Sequence, residues 1–336
     1  MKLILFLISF PVFSFTQWTE TEMTDLLAQG KINPPEAIEK LAERGTSAYN
    51  FGLILLRANR QNDALDWYEA LTIFYDSAEF LFGKAWVHFQ IGEPEAALEA
   101  GEFVLERSED LKTKARCHYM LGQIWLEDLN PQKASDHFGN SLRLYAELGL
   151  RGGQYLANAG LAASAIQTRQ YALAQDFIGK ALAFNIQLKK PYTLGYVNDL
   201  LAEIHFQEGD YPLALDHSLR AHAEYEKDAD LRNQQLALVR IGFFQILSGD
   251  INAGYDTAKK VDTLAAESEN PKLAMLNNLT WMVLYRCSNN DYTAMRQEFE
   301  TWAKAVKQKD YYANLLIFSD TVSCPKYNYF KNLGNH

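Results

Sequence analysis

Residues 205–222 read HFQEGDYPLALDHSLRAH. Three histidines (His205, His217, His222) and two aspartates (Asp210, Asp216) crowd into eighteen residues, a composition that suits a metal or acid–base site. The same stretch also contains GDYPLAL (209–215), and that segment has echoes. GDINAGY (249–255) lies forty residues on and RQYALAQ (169–175) forty back. LNPQKAS (129–135), GEPEAAL (92–98) and NRQNDAL (59–65) precede them, and NDYTAMR (290–296) closes the series. The chain is periodic, so the cluster has to be read in the register of the repeat before it is read as chemistry.

Twelve residues before the key small residue of each echo stands another small or compact one. The pairs are Gly52/Ala64, Ala85/Ala97, Gly122/Ala134, Ala162/Ala174, Ala202/Ala214, Gly242/Gly254 and Val283/Met295, advancing in steps of 33, 37, 40, 40, 40 and 41 residues. Small residues at two facing positions let a pair of antiparallel helices approach closely. Between them falls the turn. Gly92, Gly209 and Gly249 sit where a left-handed residue ends the first helix. Asp210, Asp250 and Asp291 follow as turn or N-cap residues. Pro94, Pro131 and Pro212 come next, in the first turn of the second helix, where a proline costs no backbone hydrogen bond.

These segments resemble the tetratricopeptide (TPR) repeat family, as in MLGQIWLEDLNPQKASDHFGNSL (120–142) and LLAEIHFQEGDYPLALDHSLRA (200–221), over about residues 45 to 310. The resemblance implies an all-α, right-handed superhelical α-solenoid of about seven TPR-like helical hairpins. The family period is 34, and the steps of 40 add about one turn to each helix, as in the family's lengthened variants. The expected organisation is a signal peptide at 1–16, a helical leader at 17–45 with a turn at Asn33-Pro34-Pro35, and the repeat array at 46–309. A capping helix and tail fill 310–336, the helix over 310–322 covering the last apolar face.

In this register the polar cluster loses its singularity. Asp66, Glu99, Asp136, Asp176, Asp216 and Asp256 all stand two places after the small residue of a second helix, facing solvent and favoured by the helix dipole. The next place holds Trp67, Ala100, His137, Phe177, His217, Thr257 and Glu298, a variety no catalytic position tolerates. His205 falls where other repeats carry Leu55, His88, Trp125, Ala165 and Gln245, a place that packs inside the helix pair. Only His222 has no repeat explanation. No phosphate-cradling glycine loop, GxSxG or HExxH is present. The chain reads as a non-enzyme needing no cofactor or metal.

Composition narrows the partners. The sequence is 48% hydrophobic and 22% charged, which suits a folded core, and its net charge of −10 argues against nucleic acid or an anionic membrane surface. MKLILFLISFPVFSFTQ at the start has a lysine, a short apolar run, Pro11 and small residues at Ser14 and Thr16, the layout of a cleavable secretory signal. It predicts a periplasmic or secreted protein cut after Ser14 or Thr16. No later apolar run reaches the ~18 residues of a membrane span. Cys117, Cys287 and Cys324 lack metal-binding spacing, and Cys287 with Cys324 is the pair nearest in sequence for a bridge in an oxidising compartment. Asn278-Leu279-Thr280 matches a glycosylation acceptor but falls inside a predicted helix.

The TPR resemblance implies that partners lie in a concave groove lined by the first helices. Mapped residue by residue, that face carries Tyr49, Leu53, Leu56, Phe82, Trp86, Phe89, Tyr119, Gln123, Glu203, Phe206 and Phe243. Asp199 falls on it as well. Its aromatic front half suits an apolar peptide or helix; cover by the leader, the capping helix or the array itself is the alternative. The expected function is a protein-interaction scaffold or adaptor. The alternative is the extracytoplasmic sensor lobe of a bacterial signalling system.

Overall fold

The structure is a computed structural model, and it describes residues 34–43, 47–57, 60–189, 194–228, 230–267, 271–287, 290–305, 316 and 319–321. The signal segment 1–16, most of the leader and most of the tail lie outside these residues. Fifteen helices occur among the described residues, and no strand. After α1 (Pro34–Glu43) they pair into seven hairpins: α2 (Ala48–Arg57) with α3 (Gln61–Phe74), α4 (Ala78–Ile91) with α5 (Pro94–Arg107), and α6 (Leu111–Glu127) with α7 (Pro131–Glu147). The fourth and fifth are α8 (Arg151–Gln167) with α9 (Tyr171–Asn185) and α10 (Gly195–Glu208) with α11 (Tyr211–Lys227). The last two are α12 (Leu231–Leu247) with α13 (Ile251–Glu267) and α14 (Pro271–Cys287) with α15 (Thr293–Ala305). Helices grow from 14 residues in α4 and α5 to 17 in α6, α7 and α8, so the longer step is absorbed as about one extra turn per helix.

The leader differs in one detail. Pro34 and Pro35 open α1 instead of forming a turn ahead of it, in keeping with the tolerance of a first helical turn for proline.

The turns follow the local chemistry. Gly92, Gly209 and Gly249 have φ of 86°, 84° and 96°. The Asp210 carboxylate accepts from Leu213 N at 3.2 Å, Asp250 from Ala253 N at 3.2 Å and Asp291 from Thr293 N at 2.9 Å. In the third and fourth hairpins the left-handed residue is Leu129 (φ 55°) or Arg169 (φ 60°). A side chain in that conformation costs about 1 kcal/mol or more, so here the packing of the hairpin overrides local preference.

Two compact units divide the chain, one running to residue 161 and the other from 162, with the turn 127–131 counted in the second. In the first unit, rings of the second helices wedge between first helices. A Cβ on Gly52 or on Gly83 would overlap the Tyr68 ring, 2.4 or 2.1 Å from its nearest atom, and one on Gly122 or Gly160 the Phe138 ring, at 2.7 or 2.5 Å. Where the second helix has a glycine instead, at Gly101, the next first helix supplies the bulk: a Cβ there would meet Leu121 at 2.9 Å and Met120 at 3.1 Å. Large meets small across each joint, which fixes the order in which these hairpins stack. Tyr68 Oη donates to Tyr49 O at 2.7 Å and Trp67 Nε1 to Ala48 O at 2.8 Å, so the wedged rings also satisfy backbone groups.

In the second unit each helix from α10 to α15 packs on its sequence neighbours, and α12 also touches α14. The helix pair α12–α13 is closest at Gly242 and Gly254, where a Cβ on Gly254 would lie 3.0 Å from Gly242 O. In the expected capping segment Asp320 is bonded by Arg296 Nε at 3.0 Å and Tyr292 Oη at 3.3 Å, and Arg286 donates to Ser319 O at 3.0 Å. Cys287 is disulfide-bonded. Cys324 lies outside the described residues. Cys117 is a buried free thiol whose Sγ donates to Gly101 O at 3.1 Å, and burial pushes it up to about 12. Asn278 and Thr280 sit within α14, Asn278 half-buried and Thr280 fully buried.

Candidate functional site

All eleven residues that the sequence places on the binding face lie on first helices, and most of them are buried. Tyr49, Phe82, Trp86, Phe89, Tyr119, Gln123, Glu203, Phe206 and Phe243 are buried, and Leu53 and Leu56 are half-buried. In the first unit the aromatics cover one another. Tyr49 stacks on Phe82 with centroids 6.4 Å apart, Phe82 lies 6.2 Å from Trp86, and Trp86 meets Phe89 edge-on at 5.5 Å. Arg116 lies over the Tyr49 ring at 4.9 Å and bonds Glu79 at 3.2 Å. Burial pushes the Tyr49 hydroxyl up to about 12. Tyr119 turns toward the hairpin seam, its ring 5.6 Å from Phe138.

Gln123 is the exception in this apolar face. It is 1% exposed, and its Nε2 has no hydrogen-bond partner among the described residues. An unmet buried donor costs about 1–3 kcal/mol.

The second unit carries charge instead. Asp199 on α10 and Arg240 on α12 are 5% and 4% exposed and form an ion pair, while Tyr225 Oη on α11 donates to the other Asp199 oxygen at 2.6 Å. Burial pushes the Asp199 carboxyl up, and Arg240 and Tyr225 oppose that rise. Glu203, one turn along α10, is buried and accepts from Gln207 Nε2 at 2.5 Å. Phe206 packs on Phe243 and Phe244 at 6.0 and 5.4 Å. The sequence places Asp199 on this face but does not reveal its partner, which stands one repeat and one residue further on.

Two histidines of the cluster meet in one hairpin seam. His205 and His217 stack at 5.4 Å across the α10–α11 seam, and His217 Nδ1 lies 3.0 Å from Asn198 Oδ1. Burial lowers the pKa of His222, Glu226 opposes this and Lys260 adds to it. Asp66, Glu99, Asp136, Asp176 and Asp256 are exposed and Asp216 half-exposed. Among the described residues no group of three or more His, Cys, Asp or Glu side chains is placed to hold a metal, and no helix is long and apolar enough to cross a membrane.

No protein-family model matches the sequence, and no curated protein does. Among solved structures, a Rap protein complexed with competence and sporulation factor superposes with a TM-score of 0.59 at 13% identity, covering 89% of this chain and 96% of that one. The apo form of RapI gives 0.49 at 14% identity, over 72% of this chain and 97% of that one. The P58(IPK) TPR domain gives 0.28 at 18%, over 81% of this chain and 75% of that one. The Rap complex establishes a shared fold. The class is therefore a solenoid of stacked helical hairpins. Within that class the chain is a helical-repeat protein whose fold is similar to that of the Rap complex.

Proposed function

We propose that this chain is an exported, non-catalytic interaction scaffold that binds a peptide or amphipathic helix along the first-helix face. The observation that carries the proposal is Gln123, a buried carboxamide whose donor is unmet among the apolar and aromatic residues of the first unit. A ligand backbone carbonyl at that point would recover the cost, while Phe82, Trp86 and Phe89 would take its apolar side chains. The fold is shared with a Rap protein crystallised with competence and sporulation factor, which supports the same use of this scaffold. Since the face is enclosed, binding is coupled to its opening, and the apparent affinity is reduced by the fraction of open chains. Display selection of random peptides on the purified chain is expected to enrich apolar, helix-forming sequences. Failure to enrich any family would overturn the reading.

The signal-like layout of residues 1–16 supports export, as does the bonded state of Cys287, which oxidising compartments maintain. Mass spectrometry of the chain from the extracytoplasmic fraction is expected to find an N-terminus at Phe15 or Gln17. An intact Met1 there would contradict cleavage, and retention inside the cytoplasm would contradict export.

A further inference from the structure

Two hairpin seams share a feature that the binding face does not use. In the third hairpin His118 on α6 and His137 on α7 meet with their Nδ1 atoms 3.0 Å apart, and their rings lie 5.3 Å apart. In the fifth, His205 on α10 and His217 on α11 stack 10° from parallel. His137 and His217 occupy the same register position, three residues after Ala134 and Ala214. The sixth hairpin fills that position with Thr257, whose Oγ1 donates to Gln245 Oε1 at 2.8 Å. Gln245 is the register equivalent of His205. The joint that His205 and His217 build from titratable groups is thus neutral in the sixth hairpin, while in the third His137 meets His118, the register equivalent of Asn198.

We propose that the His118–His137 and His205–His217 pairs make the third and fifth hairpins acid-labile joints, which loosen as protons are taken up at these seams. In the third seam one imidazole can donate its Nδ1 proton to the Nδ1 of the other only while the acceptor is neutral, and with both protonated two donors and two positive charges face each other there. In the fifth the rings stack and His217 Nδ1 meets Asn198 Oδ1, so a proton taken up by His217 places its charge against the ring of His205.

The charged surroundings do not remove this conflict. His118 faces His137, Arg143 and Lys114, and burial with these cations lowers it to about 4. His137 is also lowered by burial, with Lys133 adding to the effect and Asp136 and Glu102 opposing it. His217 is lowered by burial, His205 and Arg220, against Asp216. On the other side of that pair, His205 Nδ1 lies 3.4 Å from the Glu208 carboxylate.

The sign follows. Lowered folded-state values mean that the unfolded chain binds more protons, so protection in these seams is complete above the ordinary histidine value near 6.5 and is lost as pH falls below it.

Hydrogen–deuterium exchange of the full chain, corrected for intrinsic rates, tests the proposal at pH 7.5 and 5.0. Amides of α6–α7 and α10–α11 are expected to exchange at least tenfold faster at the lower pH, while α12–α13 change little. The substitutions His205→Gln and His217→Thr transplant the neutral joint and should abolish the change in α10–α11 alone. His118→Asn, which copies the Asn198–His217 contact, should reduce it in α6–α7. Equal acceleration of all three hairpins, or acceleration that persists in the substituted seams, would overturn the proposal. A substituted chain with wild-type protection at pH 7.5 confirms that its fold is intact; if the double variant fails that check, His217→Gln alone carries the comparison.

Discussion

Arg240→Leu is expected to destabilise the chain by about 3–5 kcal/mol at neutral pH, because it strands the Asp199 carboxylate in a site 5% exposed. Tyr225 would remain as its hydrogen-bond donor, but one hydroxyl does not neutralise a charge. Asp199 would then fold as the protonated acid. Its carboxyl is already pushed up by burial against the pull of Arg240, and removal of Arg240 raises it further. A carboxyl raised above its unfolded value contributes stability below that value and loses it as pH climbs toward the folded one. The variant should therefore lose more against wild type at pH 7 than at pH 4, as read from urea midpoints. Replacing both partners, Asp199→Leu with Arg240→Leu, should recover most of the loss, since a buried ion pair and an apolar pair of similar volume are often near equal in stability. A single variant as stable as wild type at pH 7 would show that the pair does not hold α10, α11 and α12 together.

Phe138→Ala is expected to cost about 3–5 kcal/mol by emptying the space between Gly122 and Gly160. Gly160→Met alone should also destabilise, since its side chain would occupy the position of the Phe138 ring. Combined, the two should cost less than Phe138→Ala alone, because they recreate the joint at Gly101, where the first helix supplies Met120 and Leu121. A coupling energy on the order of 0.5–3 kcal/mol is the signature of direct contact. Simple additivity would mean that the size match between hairpins does not set their stacking.

The hairpins were legible because their determinants are local. A small residue, a glycine with a left-handed turn, a capping aspartate and an early proline all act within about fifteen residues of one another. The left-handed turns at Leu129 and Arg169 were not legible, since neither residue type favours that conformation and only the neighbouring packing imposes it. The glycine sockets at Gly83 and Gly160 were hidden for a related reason. Each answers a ring in the preceding hairpin, Tyr68 or Phe138, and reading it requires aligning one repeat against the next. Asp199 and Arg240 are forty-one residues apart, and nothing within either repeat signals the other. Position on the first-helix face was readable from the period, but accessibility was not, because mutual stacking of Tyr49, Phe82, Trp86 and Phe89 is a property of the assembled unit.

The binding proposal makes its sharpest commitment at Gln123. Gln123→Leu replaces an unmet buried amide by an apolar side chain of similar size, so the variant should be as stable as wild type or up to about 2 kcal/mol more stable. Its affinity for peptides selected on the wild-type chain should fall at least tenfold, because the ligand carbonyl loses its donor. Measured side by side, undiminished stability with lost peptide binding is the predicted result. Unchanged binding by a folded Gln123→Leu chain would contradict the assignment of the first-helix face as the ligand site.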